Sequence, residues 1–229
     1  MIPGSAWLGR AQNLIEFTTL GSDASTTDTA SFVTTDSYTG QATVLQLLSV
    51  FNTKATIPDI PTVSQTGATW DQVATVTIGG TIRITVFRQL GVTAAGQLTI
   101  SFGGNTQTSI ILGVTGYSNV DITGTNGSGA IVQSTTNSSD ASPSSLTVTL
   151  SAFSNLYNAA YGAFGCDTST PTTIGGGTGF TIVGVNATVL TPNGASASEF
   201  KNSNDTSVDC TLTTTTNAVG IAIEIKSIY

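Results

Sequence analysis

Apolar residues recur at every second position in one segment of this chain after another, and that periodicity constrains the fold most. TIRITVF sets Ile82, Ile84 and Val86 on one side, with Arg83 and Thr85 on the other. QLTISF repeats the pattern with Leu98, Ile100 and Phe102, and SLTVTLS with Leu146, Val148 and Leu150. SVDCTL and AVGIAIEI continue it with Val208, Cys210 and Leu212, then Val219, Ile221, Ile223 and Ile225. A period of two with β-branched residues is the mark of half-buried strands. Turn signals separate them: Gly79–Gly80, Gly103–Gly104, Asn126–Gly127, Gly175–Gly177 and Asn193–Gly194. The stretch QATVLQLLSVF fits a helix or a buried strand, and its Thr and Val content favours the strand. The expectation is an all-β, antiparallel β-sandwich of jelly-roll type, with about twelve strands and little or no helix. No repeat of fixed period stands out. The expected layout is an arm over residues 1–12 and one sandwich domain over 13–229, with mobile loops at 123–129, 134–145 and 194–207.

Composition says what such a sandwich presents to its surroundings. Hydrophobic residues make up 39% of the chain and charged ones 8%, so a core is ample and surface polarity comes from hydroxyls and amides. A neighbour covers such a surface without a large cost of burying charge. The net charge is −7, and the six basic residues are scattered. Nucleic acid and anionic membranes both require a basic cluster, so neither is expected as a partner. No apolar run reaches the roughly 18 residues of a membrane span. The opening MIPGSAWLGRAQNLIEF has neither the basic start nor the apolar stretch of a secretory signal, which points to synthesis in the cytoplasm.

Few residues could carry chemistry. There is no histidine, so Ser-His-Asp and Cys-His catalysis are excluded, and with two cysteines zinc is not expected. Cys166 and Cys210 lack metal or redox spacing; they read as two small buried hydrophobes, with a cross-strand bridge left open. A glycosidase needs two carboxylates across a cleft, yet Glu16, Glu199 and Glu224 are far apart in sequence. Glu224 shares a face with Gly220, Ala222 and Lys226, which is either solvated or covered by another strand, and a solvated or Lys-paired role is expected over catalysis. Asn202, Asn204, Asp205 and Asp209 offer hard oxygens without the regular spacing of a calcium loop, and read as a hydrated turn. IGGGTG at 174–179 has no Lys-Ser/Thr after it and reads as a tight strand connection. No catalytic residue, metal or cofactor is assigned. Trp70 is expected to plug the sandwich. Trp7 and Leu8 lie in the Gly/Pro-containing leader, where they could anchor an arm to a neighbouring subunit or fold back on their own sandwich.

The succession TGQATVLQLLSVFN, SQTGATWDQVATV, IRITVFRQLGVTAAGQLTISFGG and ILGVTGYSNVD resembles a β-sandwich module of phage and bacterial surface proteins. Its marks are a Gly-x-x-Trp turn after an apolar strand and a Tyr-Ser-x-Val stretch further on. SLTVTLSA, NAAYGAFGC, GFTIVGV and AVGIAIEI continue the likeness, over roughly residues 14–229. The resemblance implies a concanavalin-like jelly roll carried by virion decoration, fibre or adhesion proteins. Where such modules carry glutamate before Tyr-Ser, this chain has Gly116.

Two functions follow as expectations. The first is a non-enzymatic capsid decoration or cement protein of a tailed bacteriophage. It would be assembled in the host cytoplasm, would pair with itself (as a trimer) and with major capsid subunits, and would work on the virion. The second is a carbohydrate-binding adhesion module of a fibre or cell surface, with Tyr38, Tyr117, Tyr157 and Tyr161 as glycan platforms beside the 194–207 segment.

Overall fold

The structure, a computed structural model, describes residues 14–167, 172–190 and 193–229. Over these residues the chain forms sixteen strands and one short 3-10 segment, Thr125–Ala130. The fold class is the expected one: nearly all β, with every strand pair antiparallel.

The first eight strands are β1 (Glu16–Ser25), β2 (Ser31–Tyr38), β3 (Leu45–Thr53), β4 (Thr62–Ser64), β5 (Asp71–Ile78), β6 (Ile82–Gln89), β7 (Gly96–Ser101) and β8 (Ser109–Ser118). They form a five-stranded sheet, β1-β8-β3-β6-β5, and a three-stranded sheet, β2-β7-β4. The next eight are β9 (Ile131–Ser139), β10 (Ser145–Thr149), β11 (Ala159–Asp167), β12 (Ile174–Gly176), β13 (Thr181–Leu190), β14 (Asn193–Lys201), β15 (Ser207–Leu212) and β16 (Ala218–Ile225). Their sheets are β13-β14-β11-β16-β9 and β10-β15-β12. Adding eight to each strand number of the first half reproduces the second. The chain therefore winds twice through the same jelly-roll strand order.

The halves meet through their five-stranded sheets, and the contacts are reciprocal. β1 meets β13 as β5 meets β9, β8 meets β13 as β5 meets β16, and β3 meets β14 as β6 meets β11, with β3 against β11 at the centre. Reciprocity of this kind is the signature of a twofold interface, here within one chain. The four layers thus run three, five, five and three strands. The central cluster between the large sheets takes Ile82, Ile84 and Val86 from one half and Val219, Ile221, Ile223 and Ile225 from the other. Each fully buried aliphatic side chain of this kind contributes ~1.5–3 kcal/mol. Each half adds its own core under its small sheet: Leu98, Ile100, Phe102 and Trp70 in the first, Leu146, Val148, Val208 and Cys210 in the second. The large sheets are covered on both faces, which is why β3, β8, β11 and β16 are buried at nearly every residue.

The strand count exceeds twelve because polar and small-residue segments also pair. GASASEFK, expected as a loop, is mostly β14: Ala195 and Ala197 face the second core and Ser196 and Ser198 are buried on the opposite face. QSTTNSS, likewise, is most of β9, the edge beside β16. The 123–129 segment is tied down as well. Asn126 and Gly127 adopt positive φ, and the Asn126 amide accepts from Leu90 N–H (2.9 Å) and donates to Thr69 O (2.8 Å) and Asp71 Oδ2 (3.1 Å).

Candidate functional sites

The three glutamates occupy different surroundings. Glu16 is exposed on β1. Glu199 and Glu224 are both buried on the face of their sheet that the β10-β15-β12 sheet covers. Across β11, Glu199 is level with Gly162 and Glu224 with Ala160, so an intervening strand and a two-residue stagger separate them. Glu224 is neither solvated nor paired with lysine, which corrects the expectation from sequence. Its Oε1 accepts from Asn158 Nδ2 (2.5 Å), Ser154 N–H (3.0 Å) and Ser154 Oγ (3.1 Å), and its Oε2 from Gln133 Nε2 (2.6 Å). Four neutral donors take the place of water and tie β9, β16 and the 151–158 segment together. Lys226, one residue beyond β16, reaches out instead to Asp121 (2.6 Å). That contact, with the Thr123 hydroxyl and N–H, lowers the Asp121 carboxyl to about 2.

Glu199 is held differently. Its Oε2 accepts from Gly177 N–H (2.8 Å), while its Oε1 is buried with no hydrogen-bond partner. Burial pushes its pKa up to about 8; the Gly177 bond works against that rise and nearby Asp209 adds to it. A carboxyl in this state is protonated at neutral pH. Gly177 belongs to the IGGGTG stretch, whose first three residues form β12 and whose next amide binds Glu199.

The Asn/Asp-rich 202–209 stretch does not converge. Asp205 binds Lys201 (2.5 Å) and accepts from Ser207 N–H, Asn202 donates to Ile15 O (2.7 Å), Asn204 is exposed, and Asp209 lies on β15. Among the described residues no three His, Cys, Asp or Glu side chains come together as a metal-binding set. Cys166 and Cys210 are free thiols buried in the second core, as the hydrophobe reading expected, and burial raises both to about 12.

The aromatic residues mostly fill cores. Tyr38, Tyr117 and Tyr161 are buried and Tyr157 is half-buried, so they do not form an exposed platform beside 194–207. A ring that does reach the surface there is Phe17, on a groove of ≈ 540 Å³ shared with Phe200, Lys201 and Asn202. Trp70 plugs the first half and donates from Nε1 to Gln65 Oε1 (3.1 Å). Trp7 and Leu8 lie outside the described residues.

One end of the molecule carries an apolar face that sequence reasoning missed. Asn119 Nδ2 donates to Leu14 O (2.9 Å), Ile228 N–H donates to Asn119 O (3.2 Å), and Asn155 Nδ2 donates to Tyr229 O (2.6 Å). These bonds bring the backbone at Leu14, Ile228 and Tyr229 to one region, which Ile122 shares through a common depression and Leu156 as the neighbour of Asn155; the five are each 46–64% exposed. A depression of ≈ 460 Å³ lies among Ile122, Ile228 and Tyr229, where the side chains of Asp121 and Lys226 pair with each other. The available signal was apolar residues standing outside any alternating run. Compared with protein-family models, curated proteins and solved structures, the chain matches none.

Proposed function

We propose that this chain is a non-enzymatic structural protein of a tailed-phage virion, a capsid decoration or cement protein. The observation that carries the reading is how the buried carboxylates are used. Glu224 and Glu199 sit beneath a covering sheet, where they tie β9, β12, β14 and β16 to their neighbours, rather than facing an open cleft as a pair. The surface left outside is rich in hydroxyls and amides, poor in charge, and carries an apolar end face. Contacts of that kind are individually weak and gain strength through repetition on a symmetric shell. A four-layered body with a continuous core is a stiff brace for such a shell.

A carbohydrate-binding role is the second reading, and the Phe17 groove with Lys201 and Asn202 is the observation in its favour. The burial of three of the four tyrosines weighs against it. The test of the first reading is shell endurance: empty shells of the virus that encodes the chain are heated with and without the purified protein. A higher rupture temperature with protein supports cementing. An unchanged rupture temperature, together with retention on a glycan array, transfers the assignment to the second reading.

A further inference from the structure

We infer that the apolar end face built from Leu14, Ile122, Leu156, Ile228 and Tyr229 is the seat for residues 1–13 of a neighbouring copy of this chain. The inference rests on the proposed reading only for the premise that copies associate; it names the surface and the occupant. Three observations support it. First, apolar side chains this exposed are normally scattered singly on a protein surface, and a group of them marks an interface. Second, the charged side chains lining the depression, Asp121 and Lys226, pair with each other at 2.6 Å. In a chain of net charge −7, a face whose charged side chains are paired adds little to the repulsion between like-charged copies.

Third, the segment preceding Leu14 is rooted in the face itself, since Leu14 O accepts from Asn119 there. Thirteen extended residues reach about 45 Å, enough to cross to another molecule. The segment MIPGSAWLGRAQN holds Trp7 and Leu8 and a single charged side chain, Arg10. Tryptophan is among the residues most enriched as buried interface anchors. Because root and seat lie together, each copy gives its segment to the next and receives one, and the contact closes into a symmetric oligomer.

Trp7 and Trp70 are the only tryptophans, which makes the inference directly readable. In a Trp70→Phe protein all indole fluorescence comes from Trp7; Phe180 fills the corresponding place in the second half, so the substitution suits the fold. The mass is followed by light scattering across a concentration series, alongside acrylamide quenching. The expected result is an oligomer in which Trp7 is shielded, with quenching rising several-fold on dilution to monomer. Ile122→Ser with Ile228→Ser should expose Trp7 and shift the mass to monomer at every concentration. Trp7→Ala in the otherwise wild-type chain should also lose the oligomer, which keeps the test open if Trp70→Phe does not fold. Trp7 freely quenched within a persistent oligomer overturns the inference. Trp7 shielded in a monomer overturns it too, by placing the segment on its own chain. Shell binding with an exposed Trp7 removes this inference alone; a shielded Trp7 in a protein indifferent to shells removes the decoration reading alone.

Discussion

Phe51 and Gly165 occupy corresponding positions in the two halves, and they meet. Aligning the β3 and β11 ladders by their ends sets Leu45 level with Ala159, hence Phe51 with Gly165. A Cβ on Gly165 would lie 2.3 Å from Phe51 Cδ2, and one on Gly194 2.8 Å from Phe51 Cε1. On a twofold axis a residue faces its own counterpart, and two phenylalanines would not fit there. One of the two equivalent positions carries a ring and the other no side chain at all.

This contact predicts the first outcome. Gly165→Ala should destabilise the protein by about 1–3 kcal/mol through overpacking alone, since Gly165 has no positive φ to relieve. Phe51→Leu in the same chain should recover part of that loss. Chemical denaturation of the four-member cycle checks it: additive effects would mean that the two residues do not compete for the same space.

Glu199 predicts a pH dependence. Its folded pKa of about 8 lies above the ordinary glutamate value of 4.5, so between those values the unfolded chain has lost a proton that the folded chain keeps. The associated stability is fully present below about 4.5 and declines as pH rises through 8. The groups facing it are Asp209, Asp205 and Lys201, with the Gly177 N–H. Glu199→Gln should flatten the curve over this window and hold the Gly177 contact. Denaturation midpoints from pH 5 to 9 test the claim; equal slopes in both proteins would contradict it.

Glu224 should behave as a structural keystone. Glu224→Ala strands donors from Gln133, Ser154 and Asn158 and should cost about 3 kcal/mol. Limited proteolysis should then open the 151–158 segment first. Cleavage elsewhere, at the wild-type rate, would argue that the four bonds hold little.

Much of this architecture was readable and some was not. The alternating strands were legible because a covered face demands apolar residues at period two: Ile82, Ile84 and Val86 lie together, as do Leu98, Ile100 and Phe102. The repeat was hidden because equivalent positions carry dissimilar side chains: Phe51 fits against Gly165, and Gly116 stands where the second half has Glu224. One trace survives in QTGATW and GTGF. Both turns have a positive-φ glycine, Gly67 and Gly179, and each ends in an aromatic before a strand. β14 was missed because alternating Ala and Ser resembles a linker; in the fold Gly194 leaves room for Phe51, and Ser198 accepts from the Tyr161 hydroxyl. The end face was invisible to periodicity, since hydrogen bonds of Asn119 and Asn155 assemble it from distant segments.

The thiols provide a check on core integrity. With pKa values raised to about 12 by burial, Cys166 and Cys210 should resist a thiol reagent at pH 8 and react only as fast as the chain unfolds. Labelling that outruns unfolding would show that the second half opens by itself.

The central claim, a decoration protein acting through symmetric subunit contacts, is met most directly by chromatography with light scattering, run on the protein alone and with empty shells. The expected result is a discrete homo-oligomer that co-elutes with shells up to a fixed, saturable number of copies. A monomer that leaves the shells untouched at every concentration would contradict it.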